Sequence, residues 1–194
     1  MIKTIRMLRD ELKEYSNPDS KVRRLVNDGV LIPITKGIYE TDRSVPGYYL
    51  AGSIYGPSYL SFEFALAYHG LIPEAVYNFT CATFEKRRRK EFDTSFGHYI
   101  YRDVPSKAYP AEVLLIIENG YSYQIATAEK AICDTLYKAA PLSNTKEIIN
   151  YLFDDMRIDE KSFNQLDMKK ILELSSLYRT KNHRLLESVV RKRM

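Results

Sequence analysis

The sequence predicts an α+β protein made of a small N-terminal unit, residues 1–45, and a larger α+β domain, residues 46–194. Three observations predict this fold class. Apolar residues recur at helical spacing near the N-terminus, β-branched and aromatic runs dominate residues 76–126, and helical spacing returns beyond them. Of the 194 residues, 45% are hydrophobic and 28% are charged, a composition that excludes disordered and low-complexity proteins.

The first two predicted elements are amphipathic helices. Residues 3–14 carry apolar side chains at helical spacing with charged side chains between them, and the dipeptide Asn-Pro ends this helix. A second helix follows over residues 20–28, with a polar N-cap and with Gly29 as a left-handed C-cap. The outward face of this second helix carries Lys21, Arg23, Arg24 and Asn27.

A β-hairpin is predicted directly after the second helix, because the β-branched runs VLIPI and IYE are separated by the turn sequence TKG. A helix with a basic outer face followed by a hairpin is the element order of a winged helix-turn-helix. In that DNA-binding unit a recognition helix enters the major groove and the hairpin wing reaches the backbone. The residues assigned to DNA are Arg23, Arg24 and Asn27 at base edges, and Lys21 and Lys36 at phosphates.

The polar segment 41–47, TDRSVPG, is predicted to separate the two parts of the chain because it shows no periodicity and contains Pro and Gly. The larger domain that follows is predicted to carry a small sheet with helices packed on it. Its predicted helices cover 48–55, 61–70 opened by Pro57-Ser58, 128–140 capped by Thr127, 144–153, 167–176 and 181–192, and its predicted strands lie within 76–84, 97–104, 112–119 and 122–126.

The densest charge in the chain is a basic run between two predicted strands, at what would be the turn of a hairpin. The formal net charge of +4 is modest, so the distribution of charge carries the argument. A solvated loop tip and a binding surface for phosphate backbone or an acidic protein are both compatible with this pattern. The basic run consists of Lys86, Arg87, Arg88, Arg89 and Lys90.

No sequence motif of an enzyme or a metal site is present, so the chain is predicted to be non-enzymatic and to use neither cofactor nor metal. There is no GxSxG, no phosphate-binding loop and no GxGxxG, and His69, His98 and His183 lie far apart. A metal-dependent nuclease is the catalytic alternative. Its residues would be Glu112, Glu118, Glu129, Lys130 and Asp134, although Glu129 and Lys130 begin a helix rather than lying on a strand.

The expected location is the cytoplasm. No stretch approaches the roughly 18 apolar residues of a membrane span, and charges occupy the positions where a signal peptide needs an apolar run. Cys81 and Cys133 each lie among apolar residues and are predicted to be small buried side chains rather than a disulfide.

Four segments are distinctive in combination: LVNDGVLIPITKGIYE, PSYLSFEFALAYHGLIPE, VYNFTCATFEKRRRKEFDTSFGHYIYRDV and IATAEKAICDTLY. Across about residues 20–138 they resemble the AbiEi-type antitoxins of bacterial abortive-infection toxin-antitoxin systems, also called AbiEi-family transcriptional regulators. The resemblance implies an N-terminal winged helix that represses its own operon and a C-terminal antitoxin domain that counteracts a nucleotidyltransferase toxin encoded beside it. It also implies type IV action, in which antitoxin and toxin form no stable complex.

One feature departs from the family pattern. Family members usually have a further helix between the first helix and the recognition helix, whereas here only residues 15–18 separate the two predicted helices. The sequence therefore predicts a trimmed winged helix with operator DNA and a toxin as partners. The alternative is an interaction module that binds an acidic protein or RNA through the basic run without binding DNA.

Overall fold

The computed structural model describes all 194 residues and shows a mixed α+β fold with nine α-helices and two β-sheets. The strands are β1 (Ile2–Thr4), β2 (Ile32–Thr35), β3 (Ile38–Glu40), β4 (Tyr59–Leu60), β5 (Phe79–Thr83), β6 (Lys90–Thr94), β7 (Gly97–Asp103), β8 (Val113–Glu118) and β9 (Tyr121–Ala126). The helices are α1 (Ile5–Glu11), α2 (Pro18–Asn27), α3 (Ala51–Ile54), α4 (Phe62–Tyr68), α5 (Ala128–Lys138), α6 (Thr145–Asn150), α7 (Glu160–Asn164), α8 (Met168–Tyr178) and α9 (Lys181–Arg191). A 3-10 helix over Gly47–Leu50 precedes α3, and a π-helix over Tyr151–Asp155 continues α6.

The N-terminal unit contains α1, α2 and an antiparallel three-stranded sheet of order β1-β3-β2. The predicted helix over 3–14 is wrong at its start, because the first residues form β1 and pair with β3. α1 begins only at Ile5, where the Thr4 side chain caps its first turn. Ile2 and Ile5 keep helical spacing across this junction, so the pattern of apolar residues alone suggested one continuous helix.

α2 starts two residues earlier than predicted and ends at Asn27. The Asn17 side chain accepts a hydrogen bond from the Ser20 N–H at 3.0 Å, and Pro18 occupies the first helical position, where no backbone N–H is needed. The two helices enclose a small core of their own with the hairpin that follows. Its buried residues are Leu8, Val22 and Leu31.

The larger sheet has strand order β6-β7-β5-β4-β9-β8 and mixes parallel with antiparallel pairs. β5 runs parallel to β7, and β4 runs parallel to β9. β8 lies within the predicted strand range 112–119, and β9 begins one residue before the predicted range 122–126. The two strands form a hairpin at Asn119-Gly120, whose φ angles of 50° and 79° are those of a tight two-residue turn. The segment opened by Pro57-Ser58 is not helical from the start: β4 comes first, and α4 begins at Phe62. A strand of two buried residues is too short to show a strand pattern in the sequence.

The chain between β5 and β6 is not the hairpin turn that the sequence predicts. β7 lies between these two strands in the sheet, so residues 84–89 pass over the end of β7. Lys90 belongs to β6, where it pairs with Tyr101 of β7. The crossover connection brings the basic run beside the end of β7, although Arg87, Arg88, Arg89 and Lys90 remain exposed to solvent.

The helices of the larger domain are organised around α5, which contacts α4, α8 and α9. Thr127 caps α5 as predicted, because its hydroxyl accepts a hydrogen bond from the Lys130 N–H. α7 was missed in the sequence, since five residues carry too little periodicity to be recognised. The main core of 36 buried residues lies between these helices and the six-stranded sheet.

Candidate nucleic-acid interface

A groove between α2 and the β2–β3 hairpin brings together three of the five residues that the sequence assigned to DNA. Arg23 and Asn27 come from α2, and Lys36 comes from the hairpin turn. The groove has a volume of about 350 Å³. Its remaining lining residues are Val22, Val26, Pro33, Thr35, Gly37 and Tyr39. The groove is therefore lined by cationic, polar and apolar side chains together.

The position of the two helical residues follows from helix geometry. Arg23 and Asn27 are separated by four positions, so their side chains lie one above the other on the same face of α2. Val22, at the floor of the groove, is buried in the small core, whereas Arg23 and Asn27 are exposed to solvent. The exposed face therefore presents a guanidinium and a carboxamide side by side.

The hairpin turn is held in place by α1. The Ile5 N–H donates a hydrogen bond to the Gly37 carbonyl at 2.7 Å. Gly37 has a φ of +78°, and a Cβ at this position would lie 3.3 Å from Cγ2 of Ile5. This close approach fixes the turn against the helix, and with it the backbone of the exposed Lys36.

The other two residues assigned to DNA lie outside the groove. Lys21 turns toward the preceding loop, where its Nζ lies 5.1 Å from the centre of the Tyr15 ring. Arg24 lies 3.7 Å from the Asp28 carboxylate, and its side chain is 74% exposed. Such an exposed i,i+4 ion pair is weak, so Arg24 remains free to turn toward a ligand.

An ion pair that the sequence analysis missed joins the two helices. Nε and Nη2 of Arg9 lie 2.8 and 3.0 Å from the two carboxylate oxygens of Asp19. The hydrogen bond from Arg9 lowers the pKa of Asp19 below its ordinary value. Asp19 lies in the first turn of α2, so this pair links the start of α2 to α1 at the surface. Charge pattern alone does not reveal it, because the two residues are ten positions apart in different helices.

The basic run contributes to a second cationic surface, a cleft of about 390 Å³ on the larger domain. Arg87, Arg88 and Arg89 line it, and no hydrophobic residue does. The sequence analysis missed the other lining residues because they come from different elements. They are Arg102 and Asp103 of β7 and Lys138 of α5. Lys86 and Lys90 of the run are not part of this cleft, since Lys86 lies 5.3 Å from the Tyr55 ring and Lys90 is paired in β6.

The residues of the nuclease alternative do not assemble into a metal site. Glu112 pairs with Lys170 at 2.9 Å, and Glu129 accepts a hydrogen bond from the Asp167 N–H. Lys130 and Asp134 are fully buried in the core. No group of three or more His, Cys, Asp or Glu side chains in the structure could hold a metal ion.

The buried pair of Lys130 and Asp134 is a closed structural network. Lys130 Nζ donates hydrogen bonds to the Ala108 carbonyl and to the Tyr178 hydroxyl. Asp134 accepts hydrogen bonds from the hydroxyl groups of Tyr178, Tyr59 and Ser61. Burial lowers the pKa of Lys130, and the charge of Asp134 opposes that shift. The network therefore connects α5 to β4 and α8 and has no access to a substrate.

Each of the three histidines has its own hydrogen-bond partner, and none of them contacts another histidine. Nε2 of His69 lies 2.7 Å from the Ala126 carbonyl at the end of β9. His98 lies 2.6 Å from the Asp93 carboxylate on the neighbouring strand. His183 is buried and bonds to the Cys133 carbonyl. Cys81 and Cys133 are both buried free thiols, as predicted.

Comparison with known proteins bears on the fold. No family model matches the chain, and no curated protein matches it. Among solved structures, the RV2827C protein from Mycobacterium tuberculosis is similar, with a TM-score of 0.64 and 15% sequence identity. The chain shares its fold with that protein. The match covers 100% of this chain and 72% of that protein, so the N-terminal unit and the larger domain both take part in it.

None of the helices is long and apolar enough to cross a membrane. The longest have 11 residues, and the exposed faces of α2 and α9 are rich in charged side chains.

Proposed function

We propose that the protein is an antitoxin of the AbiEi type that also represses its own operon by binding operator DNA. The observation that carries the DNA-binding half of the proposal is the groove between α2 and the hairpin. There Arg23 and Asn27 of the helix and Lys36 of the hairpin turn line one surface. None of the salt bridges in the protein uses Arg23 or Lys36, so both cations are available to a ligand.

The order of elements supports a winged helix. β1 precedes α1 and pairs with β3, so the sheet behind the helices contains three strands rather than the hairpin alone. α1 and α2 then correspond to a helix-turn-helix pair, and the hairpin that follows α2 corresponds to the wing. In this assignment α2 is the recognition helix, although only six residues connect it to α1.

The side chains on α2 suit the chemistry of the major groove. An Arg guanidinium can donate two hydrogen bonds to O6 and N7 of a guanine, and an Asn carboxamide can pair with an adenine. Lys36 on the hairpin turn would contact a phosphate and carry no sequence information. Arg23 and Asn27 would therefore determine sequence preference, while Lys36 would contribute affinity for any duplex.

The experiment that tests this function measures binding of the protein to its own promoter region and to a random duplex at two salt concentrations. We expect preference for the promoter and weaker binding at high salt, because each phosphate contact releases counterions. No preference for the promoter at low salt would contradict the repressor assignment.

The antitoxin half of the proposal is tested separately in cells. If the adjacent gene encodes a nucleotidyltransferase toxin, co-expression of this protein should restore growth. Because type IV action needs no stable complex, the two proteins should not co-purify. Continued growth arrest at matched expression levels would contradict the antitoxin assignment, whatever the DNA-binding result.

The cationic cleft favours a second candidate function, an interaction module for an acidic protein or RNA. Its five cations lie on the larger domain and outnumber its single carboxylate. In that case the protein would show no preference among DNA duplexes, and substitutions on α2 would leave its biological activity unchanged.

A further inference from the structure

The cationic cleft on the larger domain is assembled by three separate elements. The crossover segment contributes Arg87, Arg88 and Arg89, β7 contributes Arg102, and α5 contributes Lys138. These residues are up to 51 positions apart in the sequence, so a charged run in the chain does not account for their convergence. The fold brings together cations that repel one another in the absence of a ligand.

Some of these cations already have a partner inside the protein, and others do not. Nη1 of Arg102 lies 2.8 and 3.0 Å from the two Glu63 oxygens, and Arg89 lies 2.8 Å from Glu91. The remaining cations of the cleft form no salt bridge. They are Arg87, Arg88 and Lys138.

The crossover segment has a defined and locally strained conformation. Glu85 and Arg87 both adopt left-handed backbone angles, with φ of 57° and 62°, a conformation that is unfavourable for residues other than glycine. Asp103 holds this conformation, because its two oxygens accept hydrogen bonds from the Thr83 hydroxyl at 2.6 Å and the Arg87 N–H at 2.5 Å. Backbone strain of this kind is concentrated at ligand-binding sites.

Asp103 is the only carboxylate that lines the cleft, and its two oxygens accept hydrogen bonds from the Thr83 hydroxyl at the end of β5 and from the Arg87 N–H of the crossover segment. It therefore supports the arginines rather than neutralising them fully. The same segment is anchored at its start, where Lys86 lies over the Tyr55 ring. Arg87, Arg88 and Arg89, which follow Lys86 in the segment, are exposed and line the same cleft.

The shape of the cleft restricts the chemistry of its ligand. Its volume of about 390 Å³ accommodates a small molecule, and no hydrophobic residue lines it. No aromatic side chain lines the cleft, so a nucleobase could stack only on the planes of the guanidinium groups, which would then be turned away from its phosphates. A compact anion with several negative oxygens matches a wall of guanidinium groups, which bind phosphate oxygens through paired hydrogen bonds.

From these features we propose that the cleft binds a chain of linked phosphates, supplied by inorganic polyphosphate or by the phosphate chain of a nucleoside triphosphate. The site is separate from the groove between α2 and the hairpin, and this inference does not depend on the proposed DNA binding. Arg87, Arg88 and Lys138 supply the unpaired positive charge, and Arg102 completes the wall.

The test is calorimetric titration of the full-length protein, without divalent metal, with tripolyphosphate, guanosine triphosphate and guanosine. We expect the two phosphate ligands to bind with similar affinity and guanosine not to bind, since the cleft contacts phosphates alone. Failure of both phosphate ligands to bind would overturn the proposal. Binding of the triphosphate alone would overturn it as well, because it would show recognition of the nucleoside.

Substitutions of cleft residues test whether the phosphate ligand binds in the cleft. Arg88→Ser and Lys138→Gln each remove an unpaired cation, and we expect each to weaken tripolyphosphate binding by roughly tenfold or more, as for loss of a charge-assisted hydrogen bond. The double variant Arg184→Ser/Lys192→Ser is a matched control, because it removes two exposed cations of α9 and its C-terminal end. Equal losses in the control and the cleft variants would show general charge attraction and overturn the proposal.

Single-stranded oligothymidylate distinguishes nucleic acid from a compact polyphosphate. Its phosphates are isolated diesters, so we expect it to bind more weakly than tripolyphosphate and to be insensitive to Arg88→Ser. Tighter binding of the oligonucleotide with loss in Arg88→Ser would assign the cleft to nucleic acid and contradict the proposal. Thermal unfolding of each variant without ligand verifies that it is folded.

Discussion

His183 is a fully buried histidine that the folded protein keeps neutral, so the protein should lose stability as the pH falls below neutrality. Its Nε2 lies 3.0 Å from the Cys133 carbonyl, which requires a proton on that nitrogen. Its Nδ1 lies 2.7 Å from the Thr180 hydroxyl, which can donate to it. The ring also stacks on Tyr178, with centroids 4.3 Å apart. Burial lowers the pKa of His183 from 6.5 to about 4, and the nearby charge of Lys130 acts in the same direction.

The sign and size of the effect follow from proton linkage. The unfolded chain binds a proton at this histidine below about pH 6.5, whereas the folded protein does so only below a pKa of about 4. The stabilisation is therefore complete above pH 6.5 and is lost as the pH falls toward 4. Between about pH 7.5 and about pH 5, the free energy of unfolding should fall by about 2 kcal/mol through this residue alone.

Urea denaturation of the wild type and of His183→Gln at the two pH values measures this contribution. Glutamine can still donate a hydrogen bond to the Cys133 carbonyl but does not titrate. We expect the variant to be less stable at neutral pH and to lose about 2 kcal/mol less than the wild type on acidification. Four carboxylates have lowered pKa values and affect stability mainly below this window, because their pKa values in the unfolded chain already lie below pH 5; they are Asp19, Glu40, Asp42 and Asp159. If the free energy of unfolding fell equally in both proteins on acidification, the claim that His183 is neutral in the folded protein would be refuted.

Two further predictions concern the core. Lys130→Met should lower the free energy of unfolding by about 3–5 kcal/mol, because it leaves the buried Asp134 charge without its cation; a loss below 1 kcal/mol in urea denaturation would contradict this. Gly47→Ala should cost about 2–3 kcal/mol, since its Cβ would lie 2.3 Å from the Phe96 carbonyl oxygen. Gly52→Ala is the control, with nothing within 4 Å of its Cβ, and equal melting temperatures for the two variants would contradict the steric argument.

Elements with a strong local signal could be predicted from the sequence. The β8–β9 hairpin follows from Asn119-Gly120, and α5 follows from the Thr127 cap with its apolar stripe. The α+β class itself follows from the same periodicities. These features depend on neighbouring residues, which is why the sequence alone was sufficient.

Features that depend on distant parts of the chain could not be predicted in the same way. The residues of β1 continue the helical spacing of apolar residues, and only their pairing with the distant β3 makes them a strand. β4 is likewise a strand only because it pairs with β5 and β9. Residues 84–89 were predicted to be the tip of a hairpin, but β7 lies between β5 and β6 in the sheet, so this segment is a crossover connection. That crossover brought Arg102 and Lys138 to the basic run, which no sequence spacing indicated.

Part of the candidate interface on α2 could be predicted from local sequence patterns. Helical spacing identified the exposed side chains of α2, and the hairpin was recognised from its turn. Which of those side chains face the hairpin depends on how the helix is rotated in the folded unit. Arg23 and Asn27 do so, whereas Lys21 lies beside Tyr15.

The measurement that tests the central claim most directly is the ratio of affinities for the promoter and for a random duplex, determined at one salt concentration for the wild type and two variants. We expect the wild type to prefer the promoter by roughly a thousandfold or more. Arg23→Ala should reduce this ratio by roughly 5- to 150-fold, equivalent to about 1–3 kcal/mol, whereas Lys36→Ala should weaken both complexes and leave the ratio unchanged. A wild-type ratio near one, or a ratio that Arg23→Ala does not change, would contradict sequence recognition by α2.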